Sequence, residues 1–218
     1  MFKGKVLLFS LLLVFATSAF AGDVDDCLSE CGLSCEPMTI PTCPAGDFKN
    51  ISEGCGGTND YIWVRIVDGT GTGVQGIPWP DYWLNACDPA QELCLCSPPM
   101  NADSLTNEDG ETTFSNEIAG GGCTLTGGIW IACQGKILLD DPPECELGDP
   151  ICLNIIIVSP DLTGECICDL SDLGVFGDSY NRAPPDPAYD PCCDYTGDDI
   201  CDLSDFAFFG EHYQHRCL

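Results

Sequence analysis

Basic side chains are scarce in this chain of 218 residues, which has seven lysines and arginines against 35 aspartates and glutamates, for a formal net charge of −28. A surface with this charge repels phosphate backbones and anionic lipid headgroups, so the composition argues against nucleic acid and membrane surfaces as partners. The same charge attracts divalent cations and keeps a protein soluble.

Long apolar runs are missing from residue 22 onward. The longest later run, residues 152–160 (“CLNIIIVSP”), has the length of a β-strand. Before residue 22, two lysines precede an apolar run that ends in small residues, which is typical of a secretory signal peptide at residues 1–21. A membrane anchor is the alternative, but the run is short for a spanning helix. We therefore predict a secreted or cell-surface-associated protein without a transmembrane segment after cleavage.

Motifs of common hydrolases are absent, since the chain has neither G-x-S-x-G nor H-E-x-x-H. A carboxylate pair for glycoside hydrolysis stays open, because acids are numerous. Asp81, Glu92, Asp103 and Glu111 have no neighbours that distinguish any of them from a solvated loop acid. We expect a protein that is not an enzyme, with an enzyme or accessory component of polysaccharide breakdown as the alternative.

Cysteine, in contrast, is abundant, with 18 residues. Together with a signal peptide, this number predicts a disulfide framework formed in an oxidising compartment. Zinc ligation is the alternative, but the close pairs Cys94-x-Cys96 and Cys192-Cys193 lack C-x2-C spacing. We interpret the two histidines, His212 and His215, as complements of the dipole at the end of the last helix. The cysteine count is even on both sides of residue 159, which permits bridges closed within each part and leaves their connectivity open.

Short apolar runs bounded by Gly, Pro, Asn and Asp occupy residues 59–158, after a cysteine-rich segment at 22–58. They have strand length and lack helical periodicity, and Asp109-Gly110 between Thr-rich arms is typical of a hairpin or tight turn. The runs are “YIWVRIVDG”, “GVQGIPWPDYWL”, “SLTNEDGETTFSNEI”, “GGIWIACQGKILLD” and “CLNIIIVSP”. The pattern favours an antiparallel β-sandwich in which each sheet buries one face.

Part of this region resembles a known family. Residues 64–84 (“VRIVDGTGTGVQGIPWPDYWL”) and 106–115 (“TNEDGETTFS”) are similar to the strand–turn–strand pattern of bacterial Ig-like or carboxypeptidase-regulatory-like domains. The resemblance implies an Ig-like β-sandwich and implies little about activity.

An acidic stretch occurs twice, 33 residues apart, with agreement at 12 of 20 positions: residues 161–180 (“DLTGECICDLSDLGVFGDSY”) and 194–213 (“DYTGDDICDLSDFAFFGEHY”). Each places side-chain oxygens at positions 1, 3, 5, 9 and 12 and a carbonyl at position 7, the ligand pattern of a twelve-residue calcium loop. The predicted ligands are Asp161, Thr163, Glu165, Ile167, Asp169 and Asp172 in the first loop and Asp194, Thr196, Asp198, Ile200, Asp202 and Asp205 in the second. Position 12 should begin a helix whose aromatic stripe packs on its twin. The alternative is that the acids form turns and cap two helices without a metal.

Paired loop–helix repeats joined by a Pro-rich linker (“NRAPPDPAYDPCC”) resemble dockerin domains, whose F-hand motif reads D-x-N-x-D-G-x-[IV]-[ND]-x-x-D. The chain departs from this motif at positions 6 and 8. It also departs at Thr163 and Thr196, where Asn or Asp is usual, and at Glu165, which is longer than the usual Asp. The second loop is therefore the better candidate for Ca²⁺, although the resemblance implies a site in each.

The resemblance also implies a two-helix, EF-hand-like domain at residues 159–218 that plugs into a cohesin domain. In dockerins, positions 10 and 11 contact the partner, and here they are Leu170, Ser171, Leu203 and Ser204, the same pair in both repeats. Docking in either of two orientations requires identical pairs in the two repeats. A simple duplication of the repeat would also produce identical pairs. The expected partner is a cohesin-like or other extracellular protein.

Carbohydrate binding by exposed aromatic side chains is a further possibility. A stacking platform could be built from Tyr61, Trp63, Trp79, Tyr82, Trp83 and Trp130. Ordinary core and edge positions are the more common use of such residues, and we favour that interpretation.

Overall fold

The computed structural model describes residues 23–91, 93–97, 100–140 and 148–217. The predicted signal peptide and Glu92 lie outside these residues. Among the helices that are described, none has the length and apolar character needed to cross a membrane.

Within the described residues the fold is mainly β, with ten short strands followed by two helices. The strands are β1 (Glu30–Leu33), β2 (Met38–Pro41), β3 (Ile62–Arg65), β4 (Tyr82–Ala86), β5 (Leu93–Leu95), β6 (Glu111–Phe114), β7 (Gly120–Gly122), β8 (Ile129–Cys133), β9 (Lys136–Ile137) and β10 (Ile155–Val158). The helices are α1 (Leu170–Ser179) and α2 (Leu203–His212). Each apolar run named from the sequence contains a strand.

The strands form four small sheets. Three are antiparallel, in the orders β1-β3-β6, β4-β8-β9 and β5-β7. The fourth pairs β2 with β10 in parallel, with Met38 opposite Ile155, so the prediction of purely antiparallel sheets is wrong here. The segment 22–58 contains two strands, β1 and β2, which its many turn-forming residues did not suggest. Both strands pair with strands from later parts of the chain.

The β-rich core follows the period of two expected for strands with one buried face. In β3, Ile62 and Val64 are buried, whereas Trp63 lies partly at the surface. The two three-stranded sheets meet in one apolar cluster, where the Tyr82 and Phe114 rings stand edge to face with centroids 5.1 Å apart. This arrangement buries one face of each sheet, while the narrower Ig-like assignment stays a prediction.

The two helices share a second, smaller core. Phe176 of α1 contacts Phe206 and Phe209 of α2, with centroid distances of 5.8 and 6.0 Å, and Tyr195 lies against the same ring. The predicted packing of the two aromatic stripes is therefore confirmed. Both helices begin at position 10 of their repeat, two residues earlier than predicted, because the acid at position 9 already caps the first turn.

Disulfides bind the helical region to the β sheets. Five bridges have both cysteines in the described residues: Cys35–Cys55, Cys87–Cys152, Cys94–Cys166, Cys96–Cys217 and Cys123–Cys192. The last three join the β-rich part to the region after residue 159, so the bridges are not closed within each part. The bridges cross because part of the β-rich region lies against the helical region. This part consists of β5, β7 and the segments that follow them, which contain Cys94, Cys96 and Cys123.

Candidate functional site

The first acidic loop (residues 161–172) is organised by its two end carboxylates. Asp161 is fully buried and accepts hydrogen bonds from the backbone N–H groups of Glu165 (3.1 Å) and Cys166 (2.8 Å). Asp172, also fully buried, accepts from the backbone N–H and the hydroxyl of Thr163, both at 2.9 Å. Positions 1 and 12 therefore close the loop from both ends.

Asp161 is pressed against the sheets. Gly122 of β7 donates a backbone hydrogen bond to the Asp161 carbonyl at 2.7 Å, and a Cβ added to Gly121 would overlap Asp161 Oδ2. Burial raises the pKa of the Asp161 carboxyl to about 6, and the charge of Asp172 adds to that effect. A carboxylate in this environment is stabilised by a cation beside it.

Three predicted ligands of the first loop come together. One oxygen each from Glu165, Asp169 and Asp172 lies within 4.8 Å of the others. The Ser171 hydroxyl lies 2.7 Å from both Glu165 Oε1 and Asp169 Oδ1 and shares its one hydrogen between them. Hard oxygen donors at this separation fit the chemistry of Ca²⁺. Asp161, Thr163 and Ile167 are not part of that group of three.

The second loop (residues 194–205) repeats the design. Asp194 Oδ1 accepts from the backbone of Gly197 at 2.7 Å and of Asp198 at 3.2 Å. Asp205, which is fully buried, accepts from the Thr196 N–H at 3.0 Å and from the Asp202 N–H at 2.9 Å. The backbone hydrogen bonds that organise the first loop thus recur in the second. The loops differ in that Asp194 is only half-buried and the Thr196 hydroxyl donates to Asp194 rather than to Asp205.

The acids at positions 9 and 12 also cap the helices. Asp169 accepts from the backbone N–H of Ser171, and Asp172 accepts from the backbone N–H of Asp169, which together make a capping box at α1. Asp202 and Asp205 make the same box at α2. Capping, the metal-free alternative, is therefore one role of these residues. Asp172 and Asp205 each accept three hydrogen bonds in all, so most of their lone pairs are already used.

The predicted partner-binding leucines are the most exposed of the large apolar residues that the structure describes. Leu170 and Leu203 have exposed fractions of 68% and 66%. Leu203 lines an apolar groove of about 350 Å³ with Tyr180 from the end of α1, and Leu170 lines a groove of about 450 Å³ with Tyr213 from the end of the α2 repeat. Each leucine thus lies beside the tyrosine that ends the other repeat. Ser171 and Ser204 are exposed next to these leucines.

The aromatic residues proposed as one platform lie in different places. Tyr82 is buried in the core, which removes it from any surface. Trp83 and Trp130 lie on the outer face of β4 and β8, whereas Tyr61 and Trp63 lie at the sheet formed by β1, β3 and β6. The residues therefore do not form the single platform that the sequence left open, and the buried Tyr82 agrees with the favoured interpretation of core and edge positions.

A further cluster of polar side chains was missed by the sequence interpretation. Cys43, Asp47, His212 and His215 present their side-chain donor atoms to one another, although 172 residues separate Cys43 from His215. The H-x2-H spacing at the end of α2 was the sequence signal that could have indicated this cluster. From the sequence alone, these two histidines are interpreted as complements of the helix dipole. The cysteines considered for zinc at Cys94, Cys96 and Cys192 are instead in disulfides.

Comparisons with known proteins return little. No family model matches the chain, and no curated protein matches it. Two solved structures do, an N-terminal and a C-terminal interface mutant of the type II cohesin–X-dockerin complex from Acetivibrio cellulolyticus, at 11% and 12% identity. In both, the match covers 86% of this chain and 96% of the other, with a TM-score of 0.28. A TM-score this low supports no transfer of fold details or activity to this chain.

Proposed function

We propose that this chain is a secreted, non-enzymatic assembly protein whose helical region binds Ca²⁺ and docks onto an extracellular protein of the cohesin type. The supporting observation is the repetition of one exposed pair of side chains. Leu170 with Tyr213 and Leu203 with Tyr180 are equivalent pairs of the two repeats. A partner that recognises one pair meets a second leucine–tyrosine pair after the module is turned by half a revolution, although the Leu170 groove is lined by more polar residues than the Leu203 groove.

Calcium fits the two loops better than a softer ion, because the available donors are carboxylate, hydroxyl and carbonyl oxygens. In the first loop the ion would be held by Glu165, Asp169 and Asp172, with the remaining predicted ligands around them. It would offset the charge of the buried acids and fix the loop relative to the first turn of the helix that carries the exposed leucine.

Calorimetric titration of the whole oxidised chain with Ca²⁺ tests the metal. The isolated 159–218 fragment is unsuitable, because it would leave Cys166, Cys192 and Cys217 without their partners. We expect two sites, with the second weakened on the order of tenfold or more by Asp198→Asn, since fewer charged ligands lower affinity. The matched control is Asp199→Asn, which removes the same charge from a position that is not a predicted ligand. An absence of binding heat and of any shift in Tm would contradict the calcium proposal.

Docking is tested by retention of the chain on immobilised cohesin domains with and without Ca²⁺. Either Leu170→Asp or Leu203→Asp alone should leave binding within a few-fold, because the other orientation remains. The double variant should lose it, since the apolar contact at the centre of an interface supplies much of the binding energy. Leu105→Asp is the control, as it alters a leucine with an exposed fraction of 58% in the β-rich part. Failure of every cohesin to retain the chain, with calcium bound, would reject this partner class.

Polysaccharide binding is a second candidate, favoured by the surface around Trp63. A Cβ on Gly32 would lie 2.6–2.8 Å from the Trp63 indole, so the ring lies flat over the glycine of the neighbouring strand. Together with Tyr61, Glu30 and Arg65 it lines an open groove of about 510 Å³. A flat aromatic face flanked by polar groups suits stacking against a sugar ring.

A pulldown on insoluble polysaccharides separates this candidate from the first. Trp63→Ala should abolish retention, whereas Trp83→Ala, on the other aromatic surface, should leave it unchanged. Both variants are first checked for an unaltered Tm. Equal retention of the two variants would exclude the Trp63 groove.

A further inference from the structure

Four side chains from distant parts of the chain meet where the β-rich part touches the end of α2. Cys43 and Asp47 belong to the loop after β2, whereas His212 is the last residue of α2 and His215 follows it by three. The ring nitrogen His215 Nδ1 lies 3.5 Å from Cys43 Sγ, 3.3 Å from His212 Nδ1 and 3.2 Å from Asp47 Oδ1. His212 Nδ1 lies 3.6 Å from the same carboxylate oxygen.

Hydrogen bonds do not account for this arrangement. A ring nitrogen of histidine has either one proton or one lone pair, so His215 Nδ1 can make one good hydrogen bond, yet three polar atoms face it. The two Nδ1 atoms can share one hydrogen, but that bond uses the single proton or lone pair of His215 Nδ1 and leaves nothing for Asp47 or Cys43. All four donor atoms lie within 4.8 Å of one another, which places them around a common centre.

The separations match those of ligands around a tetrahedral ion. With bonds of about 2.0–2.1 Å to nitrogen or oxygen and about 2.3 Å to sulfur, neighbouring ligand atoms of a tetrahedron lie roughly 3.3–3.8 Å apart. Four of the six separations, from 3.2 to 3.6 Å, fall in or next to that range, and the two others, from Cys43 Sγ to His212 and Asp47, are under 4.8 Å. The mixed sulfur, nitrogen and oxygen set suits Zn²⁺ and related divalent ions, whereas Ca²⁺ takes oxygen ligands.

The surroundings hold the four side chains in place. Cys43 is fully buried, and its carbonyl accepts from Gly46 at 2.8 Å and from Gly120 at 3.1 Å. The Phe48 ring packs on the His212 ring with centroids 4.5 Å apart. The Cys96–Cys217 bridge fixes the chain two residues beyond His215. Asp47 remains exposed, which leaves a path for an ion to enter.

We propose that Cys43, Asp47, His212 and His215 form a binding site for one zinc-class divalent ion, separate from the calcium loops. The ion joins the loop after β2 to the end of α2. Its site does not depend on the proposed docking function, because none of the four residues belongs to the acidic loops or to the exposed leucine grooves.

Titration of the whole oxidised chain with Co²⁺, in the presence of excess Ca²⁺ to fill oxygen-rich sites, tests this proposal. Cobalt reports its geometry in the visible spectrum. We expect one equivalent to give the strong ligand-field bands of a four-coordinate ion and a near-ultraviolet thiolate charge-transfer band, both lost on addition of Zn²⁺. Cys43→Ser should remove the thiolate band, and weak, colourless binding by the unaltered protein would overturn the proposal.

Variants at the surface avoid the risk of misfolding. Asp47→Asn and His215→Gln should each weaken Co²⁺ binding by more than the about 10–100-fold that a merely orienting group contributes. Glu211→Gln removes a nearby exposed charge outside the four residues and should leave affinity unchanged. Equal loss in Glu211→Gln and Asp47→Asn would reduce the effect to general electrostatic attraction and reject the site.

The remaining alternative is that Cys43 forms a disulfide and is not a free thiol. Cys168 is also unbridged, and burial, the charge of Asp172 and then that of Cys43 raise the pKa of its thiol, so the two sulfur atoms lie near each other. Thiol labelling of the denatured, unreduced protein followed by mass spectrometry should find Cys43 labelled. A disulfide between Cys43 and Cys168 would remove the thiolate ligand and refute the four-ligand site.

Discussion

Gly121 and Asp161 meet so closely that the glycine has no room for a side chain, which makes this contact the point where the first acidic loop meets the sheets. Because Asp161 is buried and its carboxylate oxygens already accept hydrogen bonds from Glu165 and Cys166, it cannot swing away at low cost. The position of the first acidic loop thus depends on the absence of a single methyl group at residue 121.

We therefore expect Gly121→Ala to lower the free energy of unfolding by roughly 1–3 kcal/mol, the usual cost of overpacking a buried contact. It should also weaken Ca²⁺ binding at the first loop and leave the second loop unchanged. The control is Gly174→Ala in α1, where a Cβ meets nothing within 4 Å and the helix should gain about 0.5–1 kcal/mol. Chemical denaturation and calorimetry measure both effects, and an unaffected first loop in Gly121→Ala would refute the argument.

At the scale of single elements, α1 and α2 start at the same point of their repeats because the acid at position 9 caps each helix. Asp202 caps α2 by accepting from the Ser204 N–H at 2.7 Å, and it is also the predicted ligand at position 9. The two roles differ in what they need, since a cap requires an oxygen atom, whereas a calcium ligand benefits from the charge.

Substitution can separate these two roles. Asp202→Asn should keep the cap and preserve the Tm in EDTA, yet weaken Ca²⁺ binding at the second loop. Asp202→Ala should lower the free energy of unfolding by about 1 kcal/mol in EDTA and weaken binding as well. Identical metal affinity in the wild-type chain and Asp202→Asn would show that the residue is a cap and nothing more.

Most strands and both helices could be predicted from the sequence, whereas the pairing of the strands and the long-range contacts could not. Apolar runs bounded by turn residues predicted β3, β4, β6, β8 and β10, and the acidic repeat predicted both helices with their aromatic contact. The parallel pairing of β2 with β10 was not predicted, because a period of two in the apolar residues indicates which face of a strand is buried but not which strand pairs with it. The Cys43–His215 contact was not predicted either, because the two residues are 172 positions apart and no local sequence pattern includes both of them.

At the scale of the whole molecule, three disulfides among the described residues join the helical region to the β sheets, so the stability of the helical region depends on these links. The bridge Cys96–Cys217 connects cysteines 121 residues apart, and cross-links of this kind stabilise by about 2–4 kcal/mol each through the unfolded chain. Small calcium modules without such cross-links depend on the ion to fold. Here chelation should loosen the acidic loops while the bridges keep the helices docked.

Removal of one crossing bridge should therefore expose the dependence on calcium. We expect EDTA to lower the Tm of the Cys123→Ser/Cys192→Ser variant by several degrees more than that of the wild-type chain, since the helical region then has fewer constraints in the unfolded state. The control is Cys35→Ser/Cys55→Ser, which removes a bridge inside the β-rich part and should leave the EDTA effect at its wild-type size. Far-ultraviolet circular dichroism during heating separates the helical signal from the rest. Complete loss of that signal in EDTA with every bridge intact would show that the ion, and not the covalent framework, holds the helices in place.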